Sequence, residues 1–134
     1  MSRSLRHLPL GRSLVAASLL AAAGCQAGDD ARPVLAELPP TPAEHTRGET
    51  LYDANCASCH GPKGTGTTEG PPLVHIYYEP GHHSDASFHV AVQRGVFAHH
   101  WRFGNMPPQP QVAAEDIPPI IGYVRWLQRQ AGIE

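Results

Sequence analysis

The five-residue segment Cys56-Ala57-Ser58-Cys59-His60 carries the clearest chemistry in this chain. Two cysteines three positions apart, followed at once by a histidine, match the Cys-x-x-Cys-His signature of c-type haem attachment. Each thiol can bond one vinyl carbon of the haem, and His60 is then held where it can ligate the iron. The segment therefore predicts one covalent haem c with its iron. It also predicts export, because c-type haem is attached on the non-cytoplasmic side of a membrane.

Two other chemistries use a cysteine pair at this spacing. A redox-active dithiol is typical of a βαβ context, which the surrounding sequence does not suggest. A zinc site of four cysteines, or of three cysteines and one histidine, cannot be built, because the third cysteine, Cys25, has another explanation given below. A zinc site of two cysteines and two histidines stays open, since histidine pairs occur downstream.

Met106 is the candidate for a second axial ligand of the iron. It lies in the segment Gly104-Asn105-Met106-Pro107-Pro108. A thioether is a weak donor, so its backbone must hold it against the iron, and two following prolines restrict that backbone. The alternative is a methionine that fills a gap in the core.

Three short helices must position these residues. We predict one from about Arg47 to Cys56, begun by a capping box of Thr46 and Glu49. A second covers about residues 85–94, with Ser84 or Asp85 as its cap and Gly95 as its stop. The third begins at Asp116 and ends at Gly132, and residues 61–82 are predicted to be loop. Apolar residues recur at helical spacing along the third helix at Ile117, Ile120, Ile121, Val124 and Leu127.

The N-terminal residues are typical of an export signal and a tether. Residues 1–24 combine three arginines with an apolar run that is too short to span a bilayer. The run ends at Ala22-Ala23-Gly24-Cys25, which is similar to a bacterial lipobox, so we expect Cys25 to be lipidated. Simple cleavage after Ala21-Ala22-Ala23 is the alternative, but it leaves Cys25 as a free thiol. Residues 25–45 then read as a lipidated, proline-rich tether, and residues 46–134 as one folded domain.

Charge and composition narrow the classes of partner. The chain has 134 residues with 14 prolines and 13 glycines, which fits one small domain with many turns. Its formal net charge is −2, and loss of the three signal arginines would make it −5. A mildly acidic chain argues against nucleic acid and is compatible with docking on a basic patch of a redox partner.

Taken in order, these motifs resemble the class I, mono-haem cytochrome c family over residues 46–132. The resemblance rests on five features, in order Cys56-x-x-Cys59-His60-Gly61, Gly70-Pro71-x-Leu73, Gly95, Met106-Pro107 and Tyr123 in the last helix. It implies an all-α fold with three main short helices and loops wrapped around one haem. It also implies an electron carrier, not an enzyme, that exchanges electrons with a respiratory oxidase, reductase or dehydrogenase.

The same resemblance implies that the first and last helices cross at close range. Gly48 and Tyr52 match the first helix at that contact, and Ile120 and Tyr123 match the last one. A glycine within a helix costs roughly 1 kcal/mol relative to alanine, and close approach of a second helix would explain it.

Roles in the haem pocket also follow from the resemblance. The Pro71 carbonyl is expected to accept a hydrogen bond from Nδ1–H of His60, which orients the imidazole. Leu73 is expected to contact the haem face. Trp101 is expected to reach a haem propionate.

Six histidines between His75 and His100 are more than this family pattern requires. In one interpretation, His99 or His100 replaces Met106 on the iron. In another, His82, His83, His99 and His100 form a second metal site for copper or zinc. The simplest is that they are surface histidines, with one or two near the propionates. Because neighbours on an extended chain point to opposite faces, an adjacent pair seldom supplies both ligands of one metal.

The functional hypotheses are therefore three. The first is electron transfer by a lipid-anchored, periplasmic cytochrome c. The second is a haem protein with a labile sixth position, either gas-binding or peroxidase-like. The third is a copper- or zinc-handling protein that uses the histidine cluster.

Overall fold

The computed structural model describes residues 37–134, and these residues form an all-α domain, as predicted. It contains helices α1 (Ala43–Asn55), α2 (Ala57–His60), α3 (Asp85–Arg94) and α4 (Ile117–Gln130). Three single 3-10 turns connect them, at Pro62–Gly64, Ile76–Tyr78 and Ala114–Asp116. Within residues 37–134 the only β-type pairing is one antiparallel bridge between Val96 and Met106.

The predicted signal, the lipidated Cys25 and most of the predicted tether lie outside the described residues. From residue 37 onward, none of the helices has the length and apolar character needed to cross a membrane.

Helix α1 begins earlier than predicted, at Ala43 and directly after Pro42. The predicted capping box at Thr46 is therefore wrong. The Thr46 hydroxyl lies inside the helix and donates to the Pro42 carbonyl at 3.3 Å, so it does not cap any amide. A hydroxyl within a helix commonly bonds the carbonyl four residues back, and a short sequence motif cannot distinguish that use from a cap.

Helices α3 and α4 lie where the sequence predicts them. Ser84 caps α3, since its hydroxyl accepts from the Ser87 amide. Asp116 occupies the N-cap position of α4 but makes no capping hydrogen bond. Its carboxylate instead pairs with Arg47 of α1 at 2.6 Å, which joins the two helix starts across the surface.

The core forms where α1 crosses α4, as the family resemblance implied. Gly48 lies so close to α4 that a Cβ atom there would stand 2.2 Å from the Pro119 carbonyl oxygen and 2.9 Å from Cβ of Tyr123. The rings of Tyr52 and Tyr123 are 5.6 Å apart and both are fully buried. The Tyr52 hydroxyl donates to the Gly61 carbonyl at 2.8 Å, so this core also fixes the chain immediately after His60.

Candidate functional site

One cavity brings together the four residues on which the sequence analysis depends. Cys56, Cys59 and His60 line it from the end of α1 and from α2, and Met106 lines it from the loop between α3 and α4. The remaining lining residues come from both sides and are mostly small, apolar or amide-bearing: Asn55, Ser58, Glu69, Gly70, Pro71, Val92, Phe103, Gly104, Asn105, Pro107, Gln109 and Ile120.

His60 is oriented by the loop that follows it. Its Nδ1 atom is 2.8 Å from the Pro71 carbonyl oxygen, so the predicted hydrogen bond is present. With the proton on Nδ1, the Nε2 lone pair is available to a metal. Burial lowers the pKa of His60, and the bond to Pro71 opposes this only in part. The imidazole is therefore neutral at pH 7, which is the form that ligates iron.

The two attachment cysteines do not form a disulfide with each other. Cys56 is half-buried and Cys59 is exposed. Burial raises the pKa of Cys56 to about 11, with smaller contributions from the Asp53 carboxylate and from Cys59. Both cysteines line the cavity, as thioether attachment of a haem would require.

Met106 is held by backbone pairing as well as by its prolines. Its amide and carbonyl exchange hydrogen bonds with Val96 at 3.0 and 2.9 Å. Gly95, with φ of 74°, ends α3 and turns the chain into this pairing, and a Cβ atom there would lie 2.4 Å from the Met106 carbonyl oxygen. The Asn105 side chain adds a hydrogen bond from the Ala98 amide at 2.9 Å. These contacts supply the stiffness that a weak thioether ligand requires.

Two further residues predicted for the haem pocket lie outside the cavity lining. Leu73 packs against the core between α1 and α4. Trp101 contacts His75, Tyr77 and Phe103, and only Phe103 lines the cavity. The indole Nε1 of Trp101 is buried beside the Tyr78 hydroxyl. The predicted contact of Trp101 with a haem propionate stays a prediction.

Arg125 and Gln128 position the loop before α3, a role that the sequence analysis missed. Both are buried, with exposed fractions of 7 % and 1 %. Arg125 donates to the Tyr78 carbonyl at 2.6 Å, to the Asp85 carboxylate at 2.8 Å and to the His83 carbonyl. Gln128 donates to the Leu73 carbonyl at 2.8 Å. The two residues lie three positions apart on α4 and therefore share one face of the helix. Because polar side chains are usually exposed, the sequence pattern gave no sign that these two are buried.

The histidines near residue 100 form a separate group beside this loop. The side chains of His82, His83 and His100 converge, and His99 stacks alongside them. Within residues 37–134, neither His99 nor His100 belongs to the lining of the cavity that holds Met106. Burial lowers the pKa of His83 and of His100, and the neighbouring imidazoles lower both further.

Two cysteines at the attachment spacing, a neutral and oriented His60, and a rigidly held Met106 fit a covalently bound haem. An all-α domain whose first and last helices cross beside such a site defines the class of c-type haem proteins. The family model described as Cytochrome c matches residues 45–128, and the chain belongs to the cytochrome c family. Its cofactor is haem c, bound covalently with its iron. Neither the curated proteins nor the solved structures gave a significant match.

Proposed function

We propose that this protein is a mono-haem electron-transfer cytochrome in which His60 and Met106 are the axial ligands. Membership of the cytochrome c family supports haem-based electron transfer in general, and members are typically electron carriers. The observation that carries the finer proposal is that one cavity is lined by Cys56, Cys59, His60 and Met106. Bound haem c supplies an iron that changes between the ferrous and ferric states.

The protein's own residues would keep this change free of side reactions. The Pro71 carbonyl holds the His60 ring in one orientation, which also raises its basicity as a ligand. The pairing with Val96 holds the backbone of Met106 in place. His60 and Met106 would both hold the iron, and a His/Met pair favours the reduced state and so would raise the reduction potential. Redox partners would then be proteins such as a respiratory oxidase, reductase or dehydrogenase.

The lining of the cavity argues against a labile sixth position. A gas-binding or peroxidase-like site needs an open iron position with a distal hydrogen-bonding group. Among the described residues, His60 is the only histidine in the lining, and Met106 is its only thioether. The distal candidates His99 and His100 lie in the separate histidine group. These observations support a carrier over an enzyme or a gas sensor.

Replacement of Met106 by alanine tests the axial pair. In the haem-loaded parent we expect the far-red Met-to-iron charge-transfer band when oxidised, and no carbon monoxide binding when reduced. Met106→Ala removes the thioether, so the band should vanish completely and about one carbon monoxide should bind per haem. The reduction potential should fall, because loss of the thioether removes its preference for ferrous iron. Optical spectra and a spectroelectrochemical titration measure all three quantities.

The matched controls for this experiment are His99→Ala and His100→Ala. Both should keep the band, since neither residue lines the cavity. A parent without the band, or a band that persists in Met106→Ala, would refute ligation by Met106. Loss of the band in His99→Ala or His100→Ala but not in Met106→Ala would also contradict ligation by Met106.

We further propose that the protein is exported to the periplasm and anchored by a lipid on Cys25. The support is the sequence of residues 1–25 together with the need to attach haem c outside the cytoplasm. In a bacterial host with the attachment machinery, Cys25→Ser should move most of the haem protein from the membrane fraction to the soluble periplasmic fraction. Haem content per chain should not change, and Ser18→Ala in the apolar run is the control. An unchanged membrane fraction would exclude this anchor.

A further inference from the structure

We propose that His82, His83 and His100 form a binding site for one divalent transition-metal ion that prefers imidazole, with Zn²⁺ as its representative, separate from the haem iron. One ring nitrogen from each of the three histidines lies within 4.8 Å of the others. Imidazole nitrogen is a preferred ligand of zinc and copper, and three histidines with a fourth open position form a recognised zinc geometry. This site does not depend on the proposed electron transfer.

The spacing of the nitrogens is within reach of metal coordination. Zinc–nitrogen bonds of about 2.0–2.1 Å in a tetrahedral site hold the nitrogens roughly 3.3 Å apart. No two of these nitrogens are more than 4.8 Å apart, so each pair has to close by at most about 1.5 Å, which side-chain rotation can supply. The rings already lie close, with centroid distances of 4.8 Å for His82 and His83, 5.0 Å for His82 and His100, and 5.1 Å for His83 and His100.

A turn allows two adjacent histidines to serve one site. On an extended chain the two rings would point to opposite faces, but the chain is not extended here. The amides of His82 and His83 both donate to the Glu79 carbonyl, at 3.1 and 2.8 Å, so the chain turns at this point. Their rings are consequently stacked with only 4° between their planes. Both imidazoles thus lie on the same side of the chain.

Hydrogen bonds hold both the ring and the backbone of His83, and the bond to its ring is of the kind that usually orients metal-binding histidines. Its Nδ1 atom is hydrogen-bonded to the Tyr77 carbonyl, so the proton lies on Nδ1 and Nε2 has a free lone pair. Its own carbonyl accepts from Arg125. The guanidinium charge of Arg125 opposes a nearby cation, but it is paired with the Asp85 carboxylate at 2.8 Å. The loop therefore presents His83 in a fixed position with most of that charge compensated.

His100 supplies the observation that points most directly to a missing ligand. Its Nε2 atom is inaccessible to solvent within a half-buried ring and has no hydrogen-bond partner in the described part of the chain. Inaccessible polar atoms without a partner are rare in native structures. The His100 ring is also fixed by stacking on Tyr77 at 4.9 Å. After small side-chain rotations, a bound metal ion would satisfy this nitrogen.

His99 lies beside the site without being part of the converging set. Its ring is 4.3 Å from that of His100 and 5.7 Å from that of His83. Its Nδ1 atom is 2.8 Å from the Phe97 carbonyl, which again leaves Nε2 free. His99 is therefore the candidate for the fourth position.

The test uses the mature haem-loaded protein, oxidised and purified without a histidine tag. Titration with Zn²⁺ by calorimetry, with zinc and iron counted by mass spectrometry, should give one zinc per haem iron. His83→Ala and His100→Ala should each weaken zinc binding at least tenfold, since each removes a ligand. An excess of Mg²⁺ should not compete, because it prefers oxygen ligands.

His89→Ala is the matched control, because His89 lies on α3 outside the group and its loss should leave zinc affinity unchanged. Haem spectra identical to the parent show that each variant is folded. X-ray absorption on the zinc-loaded parent needs no variant and should show three imidazole nitrogens at about 2.0–2.1 Å. A tenfold loss in His99→Ala would support the site with His99 as a fourth ligand. Absence of saturable binding, or equal affinity in His83→Ala and the parent, would overturn the proposal.

Discussion

Gly48→Ala is expected to lower the free energy of unfolding by about 2 kcal/mol, although alanine favours helices. A Cβ atom at this position would meet the Pro119 carbonyl oxygen at 2.2 Å and Cβ of Tyr123 at 2.9 Å. The first contact is with backbone, so no side-chain rotation relieves it and the two helices must move apart. Overpacking of this kind typically costs about 1–3 kcal/mol and sometimes more. The gain in helix propensity returns only about 0.5–1 kcal/mol.

We expect Gly48→Ala to disturb the haem site as well as to destabilise the fold. Helix α1 leads directly into Cys56, so separation of α1 from α4 displaces the attachment segment relative to the Met106 loop. We expect a weaker Met-to-iron band in Gly48→Ala as well as an earlier unfolding midpoint. Guanidinium unfolding of the haem-loaded protein, followed by circular dichroism and by the far-red band, measures both.

Gly122→Ala is the control for this substitution, since Gly122 lies in the middle of α4. A Cβ atom there would meet His45 at 3.8 Å, an ordinary contact. Both variants gain the same helix propensity, so their difference reports the close approach alone. Gly122→Ala should be neutral or more stable by about 0.5–1 kcal/mol. Equal stability of the two variants would show that the helices do not cross as closely as described.

Arg125→Ala is expected to lower the free energy of unfolding by about 3 kcal/mol. Arg125 is almost fully buried and donates to Asp85, to the carbonyls of Tyr78 and His83, and to Gln128. Hydrogen bonds to a charged group contribute about 1.5–3 kcal/mol each, and carbonyls left without a donor add a penalty. The guanidinium also covers the Phe88 ring at 4.7 Å, and that contact is lost too.

The loss should be concentrated in the loop that Arg125 holds. Amide hydrogen exchange of His82 and His83 should accelerate strongly, because their turn loses its attachment to α4. Arg129→Ala is the control, since Arg129 is exposed in the last turn of the same helix. Arg129→Ala should lower the free energy of unfolding by no more than about 0.5 kcal/mol, through the lost interaction of Arg129 with the helix dipole. Equal effects of the two substitutions would mean that the buried network contributes no net stability.

Local patterns predicted much of this fold. The limits of α3 and α4 follow from a serine cap, a stop glycine and a first turn that accepts proline, all of which act over a few residues. The capping box failed for a local reason as well, because a threonine hydroxyl can bond a carbonyl within a helix equally well. Gly48 was an anomaly in the sequence, and the crossing with α4 explains it.

By itself, the sequence predicted the cofactor, the two attachment cysteines and the histidine candidate ligand from residue types at fixed short spacing. It predicted the all-α class of the fold through the resemblance to the cytochrome c family. Tertiary structure decided that Arg125 and Gln128 are buried, that Met106 pairs with Val96, and that His82, His83 and His100 converge. The contacts of Arg125 with Tyr78 and His83 join residues 47 and 42 positions apart. Contacts at such separations depend on how helices and loops pack together, and that packing leaves no periodic pattern in the chain.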